Sequence, residues 1–238
     1  MKMLAAVLDR MQLPPPYAQS RPVSVETIEI GEPGPGEVLV RITAAGLCHS
    51  DLSIINGDRP RPLPMVLGHE AAGVVESCGP GVGDLARGDS VALVFVPSCG
   101  HCPPCQEGRP ALCEPSAAAN GAGTLVGGHR VLARRDGQVL NHQVGVSCFA
   151  EYAVVNRGSL VKVTPDLAPE VAAVFGCAVL TGVGAAINSA AIRLGQTVAV
   201  VGLGGVGLSA LLGALAAGAR EVVAFDVLPE KLDLALSL

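Results

Sequence analysis

Four thiols lie within fifteen positions of one another, at Cys99, Cys102, Cys105 and Cys113. Thiols spaced this closely can converge tetrahedrally on one Zn²⁺ ion, which ionises each of them. Because four protein sulfurs fill the coordination shell, such a site leaves no position for a substrate and is structural. An iron–sulfur cluster, disulfides and free thiols are the alternatives, but the ferredoxin spacing places its fourth cysteine closer to the third. The spacing therefore favours a structural zinc site.

A second group of residues could bind a dinucleotide. Gly202, Gly204 and Gly207 form a G-x-G-x-x-G turn between the apolar run Thr197–Val201 and an apolar helix, and Asp226 follows at the end of another apolar run. Glycines at these positions let the backbone approach a pyrophosphate at the helix N-terminus. The acidic residue would hydrogen-bond the adenosine ribose and repel a 2′-phosphate. The pattern therefore favours NAD over NADP.

Three further residues are ambiguous when each is taken alone. Cys48 precedes a predicted turn, His69 stands at the head of a predicted strand, and Cys177 lies in a predicted helix. A cysteine in an apolar segment is usually a packing residue, and a single histidine is usually satisfied within a core. None of the three identifies a site by itself.

Taken together, the motifs resemble those of the zinc-containing medium-chain alcohol dehydrogenases, a family of the medium-chain dehydrogenase/reductase superfamily. The resemblance spans essentially all 238 residues, and the motifs follow in one order along the chain. They are Cys48-His49-Ser50-Asp51, Gly68-His69-Glu70, the four-cysteine loop, Gly176-Cys177 with Thr181-Gly182-x-Gly184, and Gly202-Leu203-Gly204-Gly205-Val206-Gly207 with Asp226.

The resemblance implies a second, catalytic zinc site. Cys48, His69 and Cys177 would be its protein ligands, with a fourth position open to water or to the substrate oxygen. Asp51 would accept a hydrogen bond from the free ring N–H of His69. Glu70 would lie behind the zinc and tune its field. The chain would thus hold two zinc ions, one structural and one catalytic.

The resemblance also implies roles in proton transfer and cofactor binding. Ser50 would accept the alcohol proton and pass it towards the cofactor ribose. Many members end this relay with a histidine three positions later, where this chain has Ser53, so the end of the relay stays open. Phe95 would line the substrate pocket, while His49 would contact the pyrophosphate and Lys231 the ribose. The cofactor would also be bound by the backbone of the glycine turn, at Gly202, Gly204, Gly205, Val206 and Gly207.

The sequence predicts an α/β fold to position these groups. Four strand-like runs separated by Gly/Pro turns indicate a β-rich first part: Glu37–Ala45, Val66–Ser77, Ser90–Val96 and Phe149–Val155. A helical segment from Pro169 to about Ala191 is then followed by strand Thr197–Val201, helix Gly205–Ala217, strand Glu221–Phe225 and a helix from Pro229. This order is the start of a doubly wound parallel sheet. With the resemblance, it predicts a GroES-like catalytic domain over residues 1–175 and the βαβα first half of a Rossmann NAD-binding domain over residues 176–238.

Charge and hydropathy limit which binding partners and which cellular location we expect for the protein. The net charge is −5 and no basic stripe is present, which argues against nucleic acid and anionic membranes. Val171–Ile187 and Val198–Ala219 contain no charged residue, so a membrane span is an alternative for each. The glycine turn in the second segment favours a buried strand and helix instead. We expect a cytoplasmic protein with reduced cysteines and no membrane contact.

The resulting prediction is a zinc-dependent oxidoreductase that transfers hydride between an alcohol, or its aldehyde, and NAD. A non-catalytic zinc- and NAD-binding protein and a zinc-free quinone reductase are the alternatives, and the intact Cys48, His69 and Cys177 disfavour both. Only two strands of an expected six are present. The sequence therefore predicts a chain that stops before its cofactor domain is complete and is inactive alone. The complete form is expected to be a homo-oligomer.

Overall fold

The computed structural model describes residues 1–238 and divides them into two compact units, Met1–Val174 and Phe175–Leu238. The α/β fold expected from the sequence is confirmed. The first unit is β-rich, and the second has a parallel pair of strands with helices.

Ten strands form two sheets in the first unit. They are β1 (Lys2–Leu8), β2 (Val23–Ile30), β3 (Glu37–Ala45), β4 (Met65–Val66), β5 (Ala71–Cys78), β6 (Ser90–Leu93), β7 (Leu132–Ala133), β8 (Val139–His142), β9 (Tyr152–Asn156) and β10 (Leu160–Lys162). A closed barrel has the order β1-β2-β7-β8-β4, and a five-stranded sheet has the order β10-β6-β5-β3-β9. Short helices connect them: α1 (Tyr17–Ser20), α2 (His49–Ile55), α3 (Pro103–Gln106), α4 (Glu114–Ala122) and α5 (Pro169–Val174).

Aliphatic side chains fill both cores of the first unit, as the scarcity of aromatic residues requires. Alternating residues of β1 and β2 point into the barrel, where Met3, Val7 and Ile28 are fully or almost fully buried. The five-stranded sheet buries valines and leucines such as Val40 and Leu93. Burying a side chain of this size contributes about 1.5–3 kcal/mol. The loops that carry the candidate site residues therefore extend from packed cores.

The second unit begins with π-helical turns at Phe175–Val179 and Ala185–Ser189, on either side of α6 (Leu180–Gly184). It continues with β11 (Thr197–Val201), α7 (Gly205–Ala216), β12 (Glu221–Phe225) and α8 (Pro229–Leu236). Strands β11 and β12 are parallel, with Thr197 opposite Glu221. This is the βαβα arrangement expected of the start of a doubly wound sheet.

Two local predictions were wrong. The run Val66–Ser77 is not one strand, because Gly68 has a φ of 98° and a Cβ there would lie 2.4 Å from the backbone nitrogen of Phe149. That left-handed residue separates β4 from β5. The segment after Cys48 is not a turn but helix α2, because Asp51 accepts the Cys48 N–H at the helix start. Strands β1, β2, β7, β8 and β10 were not predicted; in β1 the nearly continuous apolar residues conceal the alternation of exposed and buried side chains.

The apolar segments have different structures. Val198–Ala219 is not a single helix, since it contains β11 and α7. The helical run Pro169–Ser189 is long and apolar enough to cross a membrane by length and composition alone. Core helices of soluble proteins pass the same test, so this one run is weak evidence for a span.

Candidate zinc and cofactor sites

The loop after β6 brings its four cysteine sulfurs together. The thiols of Cys99, Cys102, Cys105 and Cys113 all lie within 4.8 Å of one another, and no disulfide is present. Backbone N–H groups point at two of the sulfurs: Cys102 donates to Cys99 and Cys99 donates to Cys113, each at 3.3 Å. Four convergent sulfurs are the donor set that a structural zinc ion takes.

The thiols of this loop influence one another's protonation. The backbone N–H of His101 and those of neighbouring residues lower the pKa of Cys99 to about 6. Desolvation and the surrounding thiols raise the pKa of Cys105 to about 12. Four thiolates this close repel one another, and a divalent cation removes that repulsion. The loop therefore has the chemistry of a zinc site.

In the first unit, Cys48 and His69 are a second group of possible metal ligands, separate from the four cysteines. Cys48 precedes α2 and is half-buried, and its thiol is hydrogen-bonded to Ser50 and to the ring of His69. Desolvation alone would raise the pKa of this thiol, but those hydrogen bonds outweigh it and lower the pKa. Cys48 is thus predisposed to the thiolate form, which binds metal.

A buried carboxylate orients His69. Oδ1 of Asp51 lies 2.8 Å from Nδ1 of His69, and both side chains are almost fully buried. Oδ2 of the same carboxylate accepts the backbone N–H of Cys48 at 3.1 Å. Because the carboxylate only accepts, Nδ1 donates its proton to Asp51, and Nε2 is the ring nitrogen left for a metal. This is the contact that the sequence analysis expected between Asp51 and His69.

Two other predicted residues lie beside His69. The ring of Phe95 meets the His69 ring edge to face, with 5.6 Å between centroids. Phe95 also packs on the core of the five-stranded sheet. Glu70 is buried, and its side chain packs against Gly46, where a Cβ would come within 2.9 Å of it. Gly46 therefore leaves room for Glu70 beside His69.

The α2 residues differ in what their polar groups contact. Ser50 contributes hydrogen bonds to the Cys48 thiol, whereas the hydroxyl of Ser53 donates to the His49 carbonyl at 3.1 Å. Ser53 is thus bonded within its own helix, four residues back, which is a common position for a helical serine. His49 is exposed. The Ser53 hydroxyl is therefore engaged within α2.

One residue of this centre was missed. Gln143, after β8, is 2% exposed, and its Nε2 donates to Oδ1 of Asp51 at 2.6 Å. Its Oε1 accepts the backbone N–H of Gly68, next to His69. No motif marks a single glutamine 92 residues away from its partner, so sequence reasoning had no signal for it.

Within the second unit, Cys177 is buried in the π-helical turn Phe175–Val179. A π-helical turn inserts one extra residue into a helix, and such turns often occur at functional positions. The assignment of Cys177 as a zinc ligand stays a prediction.

The glycine turn joins β11 to α7. Gly202 has a φ of 88°, and a Cβ on Gly207 would lie 1.7 Å from the carbonyl oxygen of Gly202, so both positions require glycine. Gly204, Gly205 and Val206 are exposed at the N-terminus of the 12-residue α7. Exposed N–H groups at a helix N-terminus attract anions.

Asp226, after β12, is hydrogen-bonded to this turn. Its carboxylate accepts the backbone N–H of Leu203 at 2.7 Å and that of Leu228 at 3.0 Å. These bonds, that of Leu203 above all, lower its pKa. Nζ of Lys231 is 3.6 Å from the same carboxylate. Asp226 is therefore a fixed negative charge beside the glycine turn.

Comparisons with known proteins agree with this chemistry. Residues 34–166 match the alcohol dehydrogenase GroES-like domain. Alcohol dehydrogenase B of Mycobacterium tuberculosis is 47% identical over 219 residues, which cover 91% of this chain and 58% of that protein. The chain thus spans less than two thirds of the length of this curated relative.

Solved structures give the same result. A zinc-binding-domain alcohol dehydrogenase protein of Burkholderia ambifaria matches all of this chain and 62% of its own, with 40% identity and a TM-score of 0.91. Benzyl alcohol dehydrogenase of Acinetobacter calcoaceticus has 35% identity, the same coverage and a TM-score of 0.88. The chain belongs to the zinc-containing medium-chain alcohol dehydrogenase family.

Proposed function

We propose that this chain provides the zinc-binding part of an oxidoreductase that transfers hydride between an alcohol and NAD. The observation that carries the proposal is the buried His69, whose Nδ1 faces Asp51 so that Nε2 is available to a metal beside the thiol of Cys48. A core histidine does not need a carboxylate at 2.8 Å, but a metal-binding histidine usually has one.

The proposed ligands of the catalytic zinc are Cys48, His69 and Cys177, with Glu70 behind them. A zinc ion bound by three protein ligands supplies Lewis acidity to an alcohol or carbonyl oxygen. The protein residues do the rest. Asp51 holds the His69 ring, Phe95 excludes water from one side of it, and Ser50 holds or moves the alcohol proton at its hydroxyl. The loop zinc, on Cys99, Cys102, Cys105 and Cys113, is structural.

The cofactor proposed for the second unit is NAD. Its pyrophosphate would lie at the N-terminus of α7, and His49 would contact it. Asp226 supports NAD over NADP, because an ionised carboxylate repels a 2′-phosphate and accepts from ribose hydroxyls. Lys231, near Asp226, would reach the same ribose. Residues 176–238 are accordingly proposed as cofactor-binding and residues 1–175 as catalytic.

The proposed substrates are small alcohols and their carbonyl products, and the proposed setting is a cytoplasmic homo-oligomer. Relatives named for alcohols support the substrate class.

Metal analysis and turnover test the whole proposal. Two zinc ions per chain are expected, and the complete form of the protein should form NADH when an alcohol panel is supplied with NAD. One zinc per chain, held by the cysteine loop, would instead support a structural protein without a catalytic metal.

Asp226→Asn tests the cofactor. Asparagine keeps an oxygen for the Leu203 N–H but loses the charge, so the preference for NAD over NADP should fall about tenfold, equivalent to about 1.4 kcal/mol. Calorimetric titration with each cofactor gives the ratio of Kd values. Asp233→Asn, an exposed aspartate on α8, is the matched control. An unchanged ratio in Asp226→Asn would refute this role.

A further inference from the structure

We propose that Gln143 is a positioning residue for the metal centre, which holds Asp51 and thereby fixes the ring of His69. This inference rests on the proposed function, because it concerns the same three-ligand zinc site. Gln143 belongs to none of the family motifs recognised in the sequence.

The orientation of the Gln143 amide follows from its neighbours. Its oxygen faces the backbone N–H of Gly68, which can only donate, and its nitrogen lies 2.6 Å from Oδ1 of Asp51, which can only accept. Exchanging the two ends of the amide would lose both hydrogen bonds. The side chain is almost fully buried, so water does not replace either partner.

The bond to Asp51 determines what that carboxylate can do. Oδ1 receives both the amide of Gln143 and the ring N–H of His69, while Oδ2 receives the backbone N–H of Cys48. Nε2 of Gln143 also lies 3.3 Å from Nδ1 of His69, a contact between two donors that both point at the same oxygen. Three donors thus fix the carboxylate in position. A fixed Asp51 holds Nδ1 of His69 and thereby sets the direction in which Nε2 points.

The backbone around Gln143 is itself held in place. The hydroxyl of Ser147 accepts the N–H of Gln143 at 2.9 Å and donates to the carbonyl of Val66 at 2.8 Å. Val144 and Ser147 both have positive φ, 45° and 53°, and a β-branched residue adopts that region at a cost. A strained turn that is bonded to β4 presents Gln143 to Asp51. The glutamine therefore joins the motif of Cys48 to that of His69 through a third segment of the chain.

Two substitutions test this role in the full 238-residue chain. Gln143→Glu keeps the shape and the acceptor for Gly68 but places an oxygen instead of a donor against Asp51. Gln143→Met removes both hydrogen bonds. Gln19→Met, at an exposed glutamine, is the matched control. The measurements are zinc content, the rate of zinc release to a chelator, and the absorption spectrum of the cobalt-substituted protein.

We expect both variants to release one of two zinc ions about 10-fold faster or more, as loss of an outer contact to a metal-binding histidine does. The cobalt spectrum of that site should shift, while the zinc of the cysteine loop is released as in the wild type. If Gln143 served only to fill space, Gln143→Met, which is uncharged and of similar volume, would release zinc as the wild type does. Wild-type release rates and spectrum in both variants would overturn the inference.

A measurement on the wild-type chain covers the case in which the variants fail to fold. By NMR, a side-chain amide proton of Gln143 should exchange with water much more slowly than those of Gln19. Equal exchange would overturn the inference. If the wild type holds only one zinc ion, the proposed function fails as well; if it holds two and the variants match it, only the role of Gln143 fails.

Discussion

The cysteine loop and the buried centre at His69 position metal ligands in opposite ways. The loop takes four donors from fifteen consecutive positions, and its fold consists of short turns with Cys105 half-buried. The centre brings Asp51 into contact with His69, 18 residues further along the chain, and with Gln143, 92 residues further, and all three side chains are buried. In the loop, thiols face one another and need a cation, whereas hydrogen bonds alone orient the His69 ring. The protein itself therefore orients His69 through Asp51, whereas the mutual repulsion of the loop thiols is offset by a bound cation.

The largest effect should come from breaking the loop. Cys113→Ser removes a buried sulfur that also accepts the Cys99 N–H. We expect the chain to lose its structural zinc ion and several kcal/mol of stability, because structural zinc contributes directly to folding. Zinc content and the urea unfolding midpoint measure both effects.

Cys78→Ala is the control for this change, since Cys78 is a cysteine outside both ligand groups. It should lose no zinc. A Cys113→Ser chain that keeps its full zinc content and its midpoint would show that the loop does not bind zinc.

A smaller and more selective effect is expected at Asp51. Asp51→Asn keeps one acceptor oxygen but loses the charge and one of the two acceptor sites that hold Cys48 and His69. We expect zinc affinity at the second site to fall about 10- to 100-fold, with the loop zinc unaffected. Competition with a chelator measures each zinc ion separately.

Asp84→Asn is the control, because Asp84 is an exposed aspartate paired with Arg157. Equal loss from both zinc sites in Asp51→Asn would indicate general unfolding instead of a lost orientation of His69, and would remove the contrast between the two regions.

The contrast also explains what the sequence could predict. The loop is local, so the spacing of its cysteines was enough to propose zinc. The Cys48–His69 pair depends on chain folding over long distances, and only the resemblance to a family suggested it. Gln143 could not be predicted, because its role depends on the strained turn at Val144 and Ser147 and not on any local pattern. The break between β4 and β5 was hidden for a similar reason, since Gly68 stands in an otherwise strand-like run.

The last prediction concerns a second buried histidine, His142. Unlike His69, it has no carboxylate beside its ring, so it shows how a buried histidine without one behaves. His142 is 1% exposed; its Nε2 accepts the Val131 N–H at 3.3 Å, and its Nδ1 has no partner. Desolvation, with smaller contributions from His129 and Arg130, lowers the pKa of His142 to about 3. The folded chain therefore keeps this ring neutral, while the unfolded chain protonates it near its ordinary pKa of about 6.5.

Because the unfolded state binds the extra proton, the stability contribution is intact above pH 6.5 and is lost as the pH falls from there towards 3. At pH 5 the loss should be about 2 kcal/mol relative to pH 7. His142→Gln, whose amide oxygen can still accept from Val131, should remove this part of the pH dependence; His101→Gln, at an exposed histidine, should not. Urea unfolding at the two pH values measures it. If His142→Gln and the wild type lost the same unfolding free energy between pH 7 and pH 5, the His142 ring would have to be solvated or paired in solution. His142 would then not be an unpaired core histidine, and the comparison with the carboxylate-paired His69 would fail.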